Sequence, residues 1–140
     1  MSKIAVVYWS STGNTEMMAK AVAEGAKNVG CEVDLMETSG FLAEKADEYD
    51  AIAFGCPAMG AEVLEEDEFD PMFTACEDKL SGKKIALFGS YGWGDGEWMR
   101  DWEERCKKDG AVMAHEPVIC QETPEDAALE ACRKLGEALA

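Results

Sequence analysis

A cluster of small and hydroxylated residues lies near the start of the chain, between an apolar run and a helix-like pattern. The cluster consists of Ser10, Ser11, Thr12, Gly13, Asn14 and Thr15. Where a strand ends and a helix begins, backbone N–H groups and the positive end of the helix dipole point outward together. Gly13 permits close approach of the backbone, and the hydroxyl and amide side chains add donors. This pattern predicts an anion-binding loop.

The residue types in this loop narrow the choice of anion. The loop lacks the lysine and the G-x-x-x-x-G-K-[ST] spacing of a Walker A loop, and it lacks the dinucleotide fingerprint. A single terminal phosphate is the ligand that fits best. A well-capped turn that binds nothing is the alternative.

The second loop of interest is CPAMGAE, residues 56–62. Met59 carries a soft, polarizable side chain suited to the face of an aromatic ring, although core packing is its commoner role. Gly60 can reorient its peptide at little cost, and the Glu62 carboxylate can accept a hydrogen bond from an imide N–H. The loop thus favours contact with a flat, polar-edged ligand, and its candidate binding residues are Pro57, Ala58, Met59, Gly60, Ala61 and Glu62.

The third loop of interest is GSYGWGDGEW, residues 89–98. Glycines weaken packing, so a glycine-rich loop with aromatic residues is not typical of a core. Tyr91 and Trp93 can stack on a flat ligand, whereas Trp98 and Trp102, four residues apart on a predicted helix, are expected in the core. The candidate binding residues here are Ser90, Tyr91, Gly92, Trp93 and Gly94.

Five alternations of strand and helix place these loops. The predicted strands are 3–9, 31–36, 51–56, 84–89 and 111–119, and the predicted helices are 16–29, 41–49, 71–79, 98–108 and a last one capped by Thr123 with Pro124 at its first position. Such alternation predicts one α/β domain over residues 1–140, with a doubly wound parallel sheet and helices on both faces. Ligands bind outside the carboxyl ends of such strands, where the loops after strands one, three and four should meet.

Charge and composition exclude several classes of function. The chain of 140 residues has 13 basic and 29 acidic residues, a net charge of −16. This argues against nucleic acid and anionic membranes as partners and favours basic ones. No apolar run reaches the roughly 18 residues of a membrane span, and we expect a cytoplasmic monomer.

The reactive residue types give no sign of a catalytic or metal site. The spacing of the six cysteines suits neither a zinc nor an iron–sulfur site. We expect reduced, mostly buried thiols. His115 is the only histidine, so a Ser/His/Asp set is not expected.

One ligand satisfies all three loops: a flat conjugated ring with a phosphate on a flexible tail, the shape of flavin mononucleotide (FMN). The motifs YWSSTGNTE, GCPAMGAE and FGSYGWGDGEWM, in this order, resemble those of flavodoxins of the short-chain, anaerobic-bacterial type. The resemblance extends over the full length. It implies a five-stranded sheet of order 2-1-3-4-5 and phosphate binding by residues 10–15.

The resemblance also implies residue roles around the ring. Met59 and Trp93 would flank it, Tyr91 would line it, and Glu62 would bond its N3–H. The Gly60 carbonyl would turn toward N5–H on reduction. Ala61 stands where relatives often carry a polar residue. The implied function is a low-potential one-electron carrier that shuttles between semiquinone and hydroquinone.

Two charge features bear on this function. No lysine or arginine lies between Lys3 and Lys20, within 46–78, or between Lys84 and Arg100, so we expect all three loops to be free of local cations. Residues 62–70, EVLEEDEFD, hold six carboxylates in nine positions. They are expected to steer basic redox partners in transient, salt-sensitive complexes, with Glu65, Glu66, Asp67 and Glu68 as the steering residues; a merely solvated acidic loop is the alternative.

Two other functions remain as alternatives. An FMN-dependent NAD(P)H:quinone or flavin reductase on the same fold would need space above the ring for a second substrate. Trp93 and Met59, on opposite faces of the ring, argue against such space. A phospho-acceptor signalling domain would need acidic residues at the end of the first strand, where this chain has Tyr8 and Trp9.

Overall fold

A computed structural model describes residues 2–60 and 62–140. The strands are β1 Lys3–Tyr8, β2 Glu32–Glu37, β3 Ala51–Gly55, β4 Lys84–Tyr91, β5 Val112–Met113 and β6 Val118–Gln121. The helices are α1 Asn14–Asn28, α2 Phe69–Cys76, α3 Glu97–Lys108 and α4 Asp126–Ala138. Short 3-10 turns occupy Thr38–Gly40, Ala43–Glu48 and Glu77–Lys79. Among the described residues, no helix is both long and apolar enough to cross a membrane.

The strands form one parallel sheet in the order β2-β1-β3-β4-β5, and β6 also pairs with β4. Because β5 and β6 pair with successive parts of β4, together they fill the fifth position. The predicted fold class and strand order are therefore confirmed. β1, β3 and β4 are neighbours that run in one direction, so the loops after them emerge at the same edge of the sheet.

The structure corrects three predicted boundaries. The fifth strand, predicted over 111–119, is interrupted before Val118, where Pro117 lacks the N–H that a ladder needs. β4 continues past Gly89 to Tyr91, because its last residues pair with β6. The last helix begins at Asp126 with Glu125 at the cap position, not at Thr123, since Glu122 adopts a left-handed φ of 60° and extends the turn.

The core lies on both faces of the sheet, because alternate residues of each strand point to opposite sides. Ile4 and Val6 of β1 pack with α1 and α4, whereas Ala5 and Val7 pack with α2 and α3. Trp98 and Trp102 are each 1% exposed, as their core assignment predicts. All six cysteines are free; four are buried and two are half-buried.

Two glycines allow α1 and α4 to pack closely. A methyl group on Gly25 would overlap the backbone carbonyl of Arg133, and one on Gly136 would overlap the carbonyl of Val22. Arg133 also forms an ion pair with Glu24 of α1 and another with Glu130 of its own helix, α4. The helix pair therefore depends on the absence of side chains at these two positions.

A polar network joins α2 to α3 on the opposite face. Arg105 forms hydrogen bonds with Asp70, Thr74 and Glu77, and its guanidinium lies 4.9 Å from the centre of the Phe73 ring. Burial and a hydrogen bond with Glu77 raise the pKa of Asp109 to about 6. Burial opposes ionisation of Glu77, but hydrogen bonds from Arg105 and Asp109 outweigh it and lower the Glu77 pKa. When Asp109 is protonated, it can donate to the Glu77 carboxylate, which Arg105 also binds.

The helix contact predicts the effect of Gly25→Ala. The substitution should lower the free energy of unfolding by about 2–3 kcal/mol, since overpacking outweighs the roughly 1 kcal/mol that alanine gains in helix propensity. Chemical denaturation measures the change. Asn28→Ala, on the exposed end of the same helix, should be neutral or slightly stabilising. A Gly25→Ala protein as stable as the parent would contradict the close contact.

The carboxyl pair predicts a pH dependence of stability. Because the Asp109 pKa rises from 3.8 to about 6 on folding, the native state holds more protons than the unfolded chain between these values. The stability contributed by Asp109 is therefore present at low pH and is lost as pH rises through that window. Asp109→Asn keeps a donor to Glu77 at every pH. The free energy of unfolding of this variant should exceed that of the parent by almost nothing at about pH 4. The excess should grow to on the order of 1 kcal/mol at pH 7, after allowance for solvent screening.

Denaturation across this pH range measures the difference between the two proteins. Asp101→Asn, the same charge change at an exposed position of α3, should show no such growth. A difference between Asp109→Asn and the parent that does not change with pH would contradict the raised pKa of Asp109.

Candidate functional site

The first loop is organised by its own side chains. Ser10 Oγ accepts hydrogen bonds from the N–H groups of Gly13 at 3.1 Å and Glu16 at 3.4 Å. Thr12 Oγ1 accepts one from the Asn14 N–H at 3.4 Å. Gly13 lies at the cap position of α1 with a φ of 93°, a conformation that favours glycine. Ser10 therefore stabilises the turn through its side-chain oxygen.

The first loop also has backbone donors that remain free. The N–H groups of Ser11, Thr12 and Thr15 donate to no acceptor among residues 2–60 and 62–140. Ser11, Thr12 and Asn14 line a cleft, while the Thr15 hydroxyl is buried and bonds to the Ser90 hydroxyl at 3.1 Å. N–H groups left over at the start of a 15-residue helix form a site for an anion.

The second loop is a tight hairpin. Met59 and Val63 exchange backbone hydrogen bonds of 2.8 and 3.2 Å, and Gly60 lies between them with a φ of 33°. Gly60 is exposed, and a methyl group there would meet nothing within 4 Å. Ala61, also predicted as a binding residue, lies outside the described residues. The hairpin holds Met59 half-buried and leaves the Gly60 peptide free of packing.

The second and third loops are joined by short polar contacts. The Cys56 N–H donates to the Phe88 carbonyl at 3.1 Å, and the Ala58 N–H donates to the Ser90 carbonyl at 3.0 Å. Trp98 Nε1 donates to the Cys56 carbonyl at 3.1 Å. A methyl group on Gly89 would overlap that carbonyl. The two loops are thereby fixed relative to each other by buried backbone and a buried tryptophan.

The third loop presents two aromatic side chains in different states. The Tyr91 ring packs 5.5 Å from Trp98, centre to centre, and is half-buried. Trp93 is 62% exposed. Trp93 thus has an aromatic face available to a ligand or partner, while Tyr91 is held against the core.

A cleft of about 260 Å³ lies where the loops meet. Its walls are apolar on one side and hydroxylated on the other, and none of the described residues that line it is a lysine or arginine. The lining residues are Ser11, Thr12, Asn14, Pro57, Ala58, Met59, Ser90, Tyr91, Gly92 and Glu122. Predicted residues from all three loops are therefore brought together.

The remaining predicted residues lie around the cleft. Ser10, Gly13 and Thr15 support the first loop, and Gly60 forms the hairpin tip. Glu62 contacts Gly94 and lines a separate cavity with Trp98, and Trp93 is exposed.

The sequence analysis missed a fourth segment of the site. Glu122 lines the cleft, and its N–H donates to the Tyr91 carbonyl at 2.8 Å. Gln121 Nε2 donates to the Gly92 carbonyl at 3.3 Å. Gln121 is the last residue of β6 and Glu122 follows it, at the same edge of the sheet. The rule that pointed to the other three loops could have found them, but the residues QET carry no glycine-rich or aromatic signal.

Glu62 contacts the start of α3. Its Oε1 accepts a hydrogen bond from the Glu97 N–H at 3.2 Å, and a methyl group on Gly94 would overlap its carboxylate. Glu62 itself adopts a left-handed φ of 55°, which is uncommon for a residue with a side chain. Its second carboxylate oxygen remains available as an acceptor.

The sequence predicted that the third loop would be free of local cations, but a cation lies beside it. Arg100 folds back from α3 and forms an ion pair of 2.9 Å with Asp95. Separation along the sequence concealed this contact, because the side chain of an early helical residue reaches back over the preceding turn.

The acidic segment has mixed roles. Glu65, predicted as a steering residue, is 6% exposed and accepts hydrogen bonds from the N–H groups of Asp67, Glu68 and Phe69 at 2.7–2.8 Å. Burial opposes its ionisation, but these N–H groups outweigh that effect and lower the Glu65 pKa. Glu65 thus stabilises the start of α2. Glu66, Asp67 and Glu68 are exposed and remain available to partners.

The other reactive groups form no second site. Among the described residues, no group of histidine, cysteine and acidic side chains has the arrangement of a metal site. Burial raises the pKa of the thiols of Cys56, Cys76, Cys106 and Cys132, which opposes formation of a thiolate. The first-loop N–H groups and the cleft are therefore the main candidate site, and they fit a phosphorylated flat ring.

Comparisons with known proteins identify the family of this chain. The family model named Flavodoxin matches residues 6–136. A flavodoxin of Clostridium beijerinckii is 47% identical over 135 residues, 96% of this chain and 97% of that protein. A flavodoxin of Megasphaera elsdenii is 42% identical over 137 residues, 98% of each chain. The solution structure of two-electron reduced Megasphaera elsdenii flavodoxin superposes with a TM-score of 0.90 at 43% identity and covers 97% of each chain.

Both relatives match the chain over almost their whole length, and the Megasphaera elsdenii flavodoxin matches it in fold as well as in sequence. The chain belongs to the flavodoxin family of FMN-binding electron carriers.

Proposed function

We propose that residues 10–15 hold the phosphate of FMN, that residues 57–62 and 90–94 hold its ring, and that exposed carboxylates beside the ring receive basic redox partners. The bound flavin supplies the ability to accept and release electrons one at a time. The protein's own part is to grip, orient and shield that group. The observation that carries the proposal is the set of free N–H groups at the start of α1, in the same cleft as the apolar wall of Pro57, Ala58 and Met59.

The phosphate would be held by dipoles. The N–H groups of Ser11, Thr12 and Thr15 are unused within the described protein, and the hydroxyl of Ser11 is exposed beside them. Charge-assisted hydrogen bonds to an anion are stronger than neutral ones, so several such donors can replace a lysine. Thr15 and Ser90 would fix the loop against β4 through their shared buried hydrogen bond.

The ring would be held by small and apolar residues at the edge of the sheet. Met59 and Trp93 would cover its two faces, with Tyr91 at its side. Glu62 would accept a hydrogen bond from the ring's N3–H with the oxygen that Glu97 does not use. The Gly60 peptide, exposed and unpacked, can turn its carbonyl toward N5 when that atom carries a proton.

The charge around the ring would set a low potential for the second electron. Glu62 and Glu122 lie at the site, and no cation lines the cleft among the residues described. Adding a negative charge to the ring next to carboxylates costs free energy, so the second electron is held weakly. We expect the protein to act in the cytoplasm, as a monomer of net charge −16.

Reduction of the FMN complex tests the proposed function. The protein freed of flavin should take up one FMN, and stepwise reduction under anaerobic conditions should show two separate one-electron steps in the visible spectrum. Free FMN in the same titration is the control, because its two electrons are accepted almost together. Failure to bind FMN, or direct two-electron bleaching of the complex, would contradict a one-electron carrier and favour a reductase.

The acidic segment predicts partner steering by three exposed residues. Changing Glu66→Gln, Asp67→Asn and Glu68→Gln together should slow electron transfer to cytochrome c, a basic acceptor, roughly three- to tenfold at low ionic strength. The backbone N–H groups that bind Glu65 are retained, so α2 should stay folded. Stopped-flow kinetics at several salt concentrations measure the rate, and the difference should vanish at high salt.

A matched triple variant separates local from overall charge. Glu32→Gln, Asp78→Asn and Glu137→Gln remove three exposed carboxylates at the amino-end edge of the sheet, opposite the site. This variant should react almost as fast as the parent. Equal slowing by both triple variants would show that only net charge matters.

A further inference from the structure

Arg100 closes the third loop from the first turn of α3. Its Nη1 donates to the Asp95 carbonyl at 3.0 Å, and its Nη2 donates to the Asp95 carboxylate at 2.9 Å. The guanidinium thus binds both the backbone and the side chain of one loop residue. Gly96 lies against it, because a methyl group on Gly96 would be 3.8 Å from Nη1.

Glu62 reaches the same turn from the second loop. Its carboxylate accepts the Glu97 N–H at 3.2 Å and fills the space beside Gly94. Residues 94–97 are therefore held on one side by Arg100 and support Glu62 on the other. The turn is a short structural link between the guanidinium and the carboxylate.

The charges at this turn are unbalanced. The hydrogen bond and the charge of Asp95 raise the pKa of Arg100, opposed weakly by desolvation, and the carboxylates of Glu97 and Glu62 add to the rise. One guanidinium thus faces three carboxylates. Arg105, farther along α3, is ion-paired with Asp70 and Glu77. Arg105 also lines a cavity with Glu62, but Arg100 is the cation whose ion-pair partner, Asp95, belongs to the third loop.

We infer that Arg100 has two roles in the flavin site: it positions the 94–97 turn that supports Glu62, and its charge offsets part of the negative field at the ring. This inference rests on the assignment of Glu62 and residues 90–94 to the ring made under the proposed function. The ion pair is exposed, so it adds little to stability and its loss should not unfold the protein.

The two one-electron steps respond differently to charge. With FMN bound, a first electron taken up together with a proton would leave the net charge of the ring unchanged. A second electron taken up alone would make the ring negative. A nearby cation therefore favours the second step and leaves the first almost unaffected.

Arg100→Met tests the charge role, because methionine keeps an unbranched side chain without charge. The variant should make the second one-electron step roughly threefold less favourable. At 59 mV per tenfold change in the equilibrium constant, this lowers the midpoint potential of that step by about 30 mV. The potential of the first step should stay the same. Arg133→Met on α4 is the matched control, because it changes the net charge by the same amount at a position far from the loop. It should shift neither potential.

Arg100→Lys and Glu62→Gln test the positioning role. Lysine keeps the charge but cannot form the paired hydrogen bonds to Asp95, so Arg100→Lys should restore the second potential. It should still bind FMN about threefold more weakly than the parent, as Arg100→Met should. In the Glu62→Gln background, Arg100→Met should no longer change the FMN dissociation constant, because the residue through which it acts has been altered.

The outcomes separate the two ideas. If the parent protein, freed of flavin, does not bind FMN, the proposed function fails. If it binds FMN but Arg100→Met shifts neither potential, or shifts both equally, or matches Arg133→Met, the charge role is overturned. If Arg100→Lys binds FMN as tightly as the parent, or the effect of Arg100→Met persists in Glu62→Gln, the positioning role is overturned.

Discussion

The site depends on parallel pairing among three neighbouring strands. β1, β3 and β4 run in one direction, so their loops emerge at one edge, and α1 starts there with N–H groups that no protein acceptor uses in the described structure. Hydrogen bonds from Ala58 to Ser90 and from Trp98 to Cys56 then fix the second loop to the third. The fold therefore brings the proposed anion-binding and ring-binding segments to one edge, and the Thr15–Ser90 hydrogen bond ties the first loop to β4.

The charged residues at this edge differ in role, and the position of each residue in the fold determines its role. Glu65 is buried at the start of α2 and acts through the backbone N–H groups that it accepts. Glu66, Asp67 and Glu68 are exposed and create a field that partners meet. Glu62 is held by the start of α3, where Arg100 lies opposite. A dense run of acidic residues in the sequence thus contains one structural anchor, Glu65. We propose that it also contains one ligand for the flavin, Glu62, and a docking surface of exposed carboxylates.

Much of the fold and of the site could be predicted from the sequence, because the signals are local. Apolar runs of five or six residues between amphipathic patterns indicated the alternation of strands and helices, and loop composition indicated where the cleft would form. The strand order came from the resemblance to flavodoxins. The errors arose where distant residues decide the outcome. β4 is longer than its apolar run because β6 pairs with its end, and the fifth strand breaks before Val118 because Pro117 cannot join a ladder. Arg100, Glu65 and Glu122 acquired their places through contacts that no spacing rule records.

The central claim is that backbone dipoles, without a cation, hold a phosphate at the start of α1. Isothermal titration of the flavin-free protein with FMN and with riboflavin, which has the same ring and ribityl chain but no phosphate, tests it most directly. We predict that FMN binds roughly a hundredfold or more tightly, a difference of about 2.7 kcal/mol, and that its affinity does not fall as salt is raised. Equal affinity for both flavins, or an FMN affinity that collapses with salt as an ion pair would, would contradict the account.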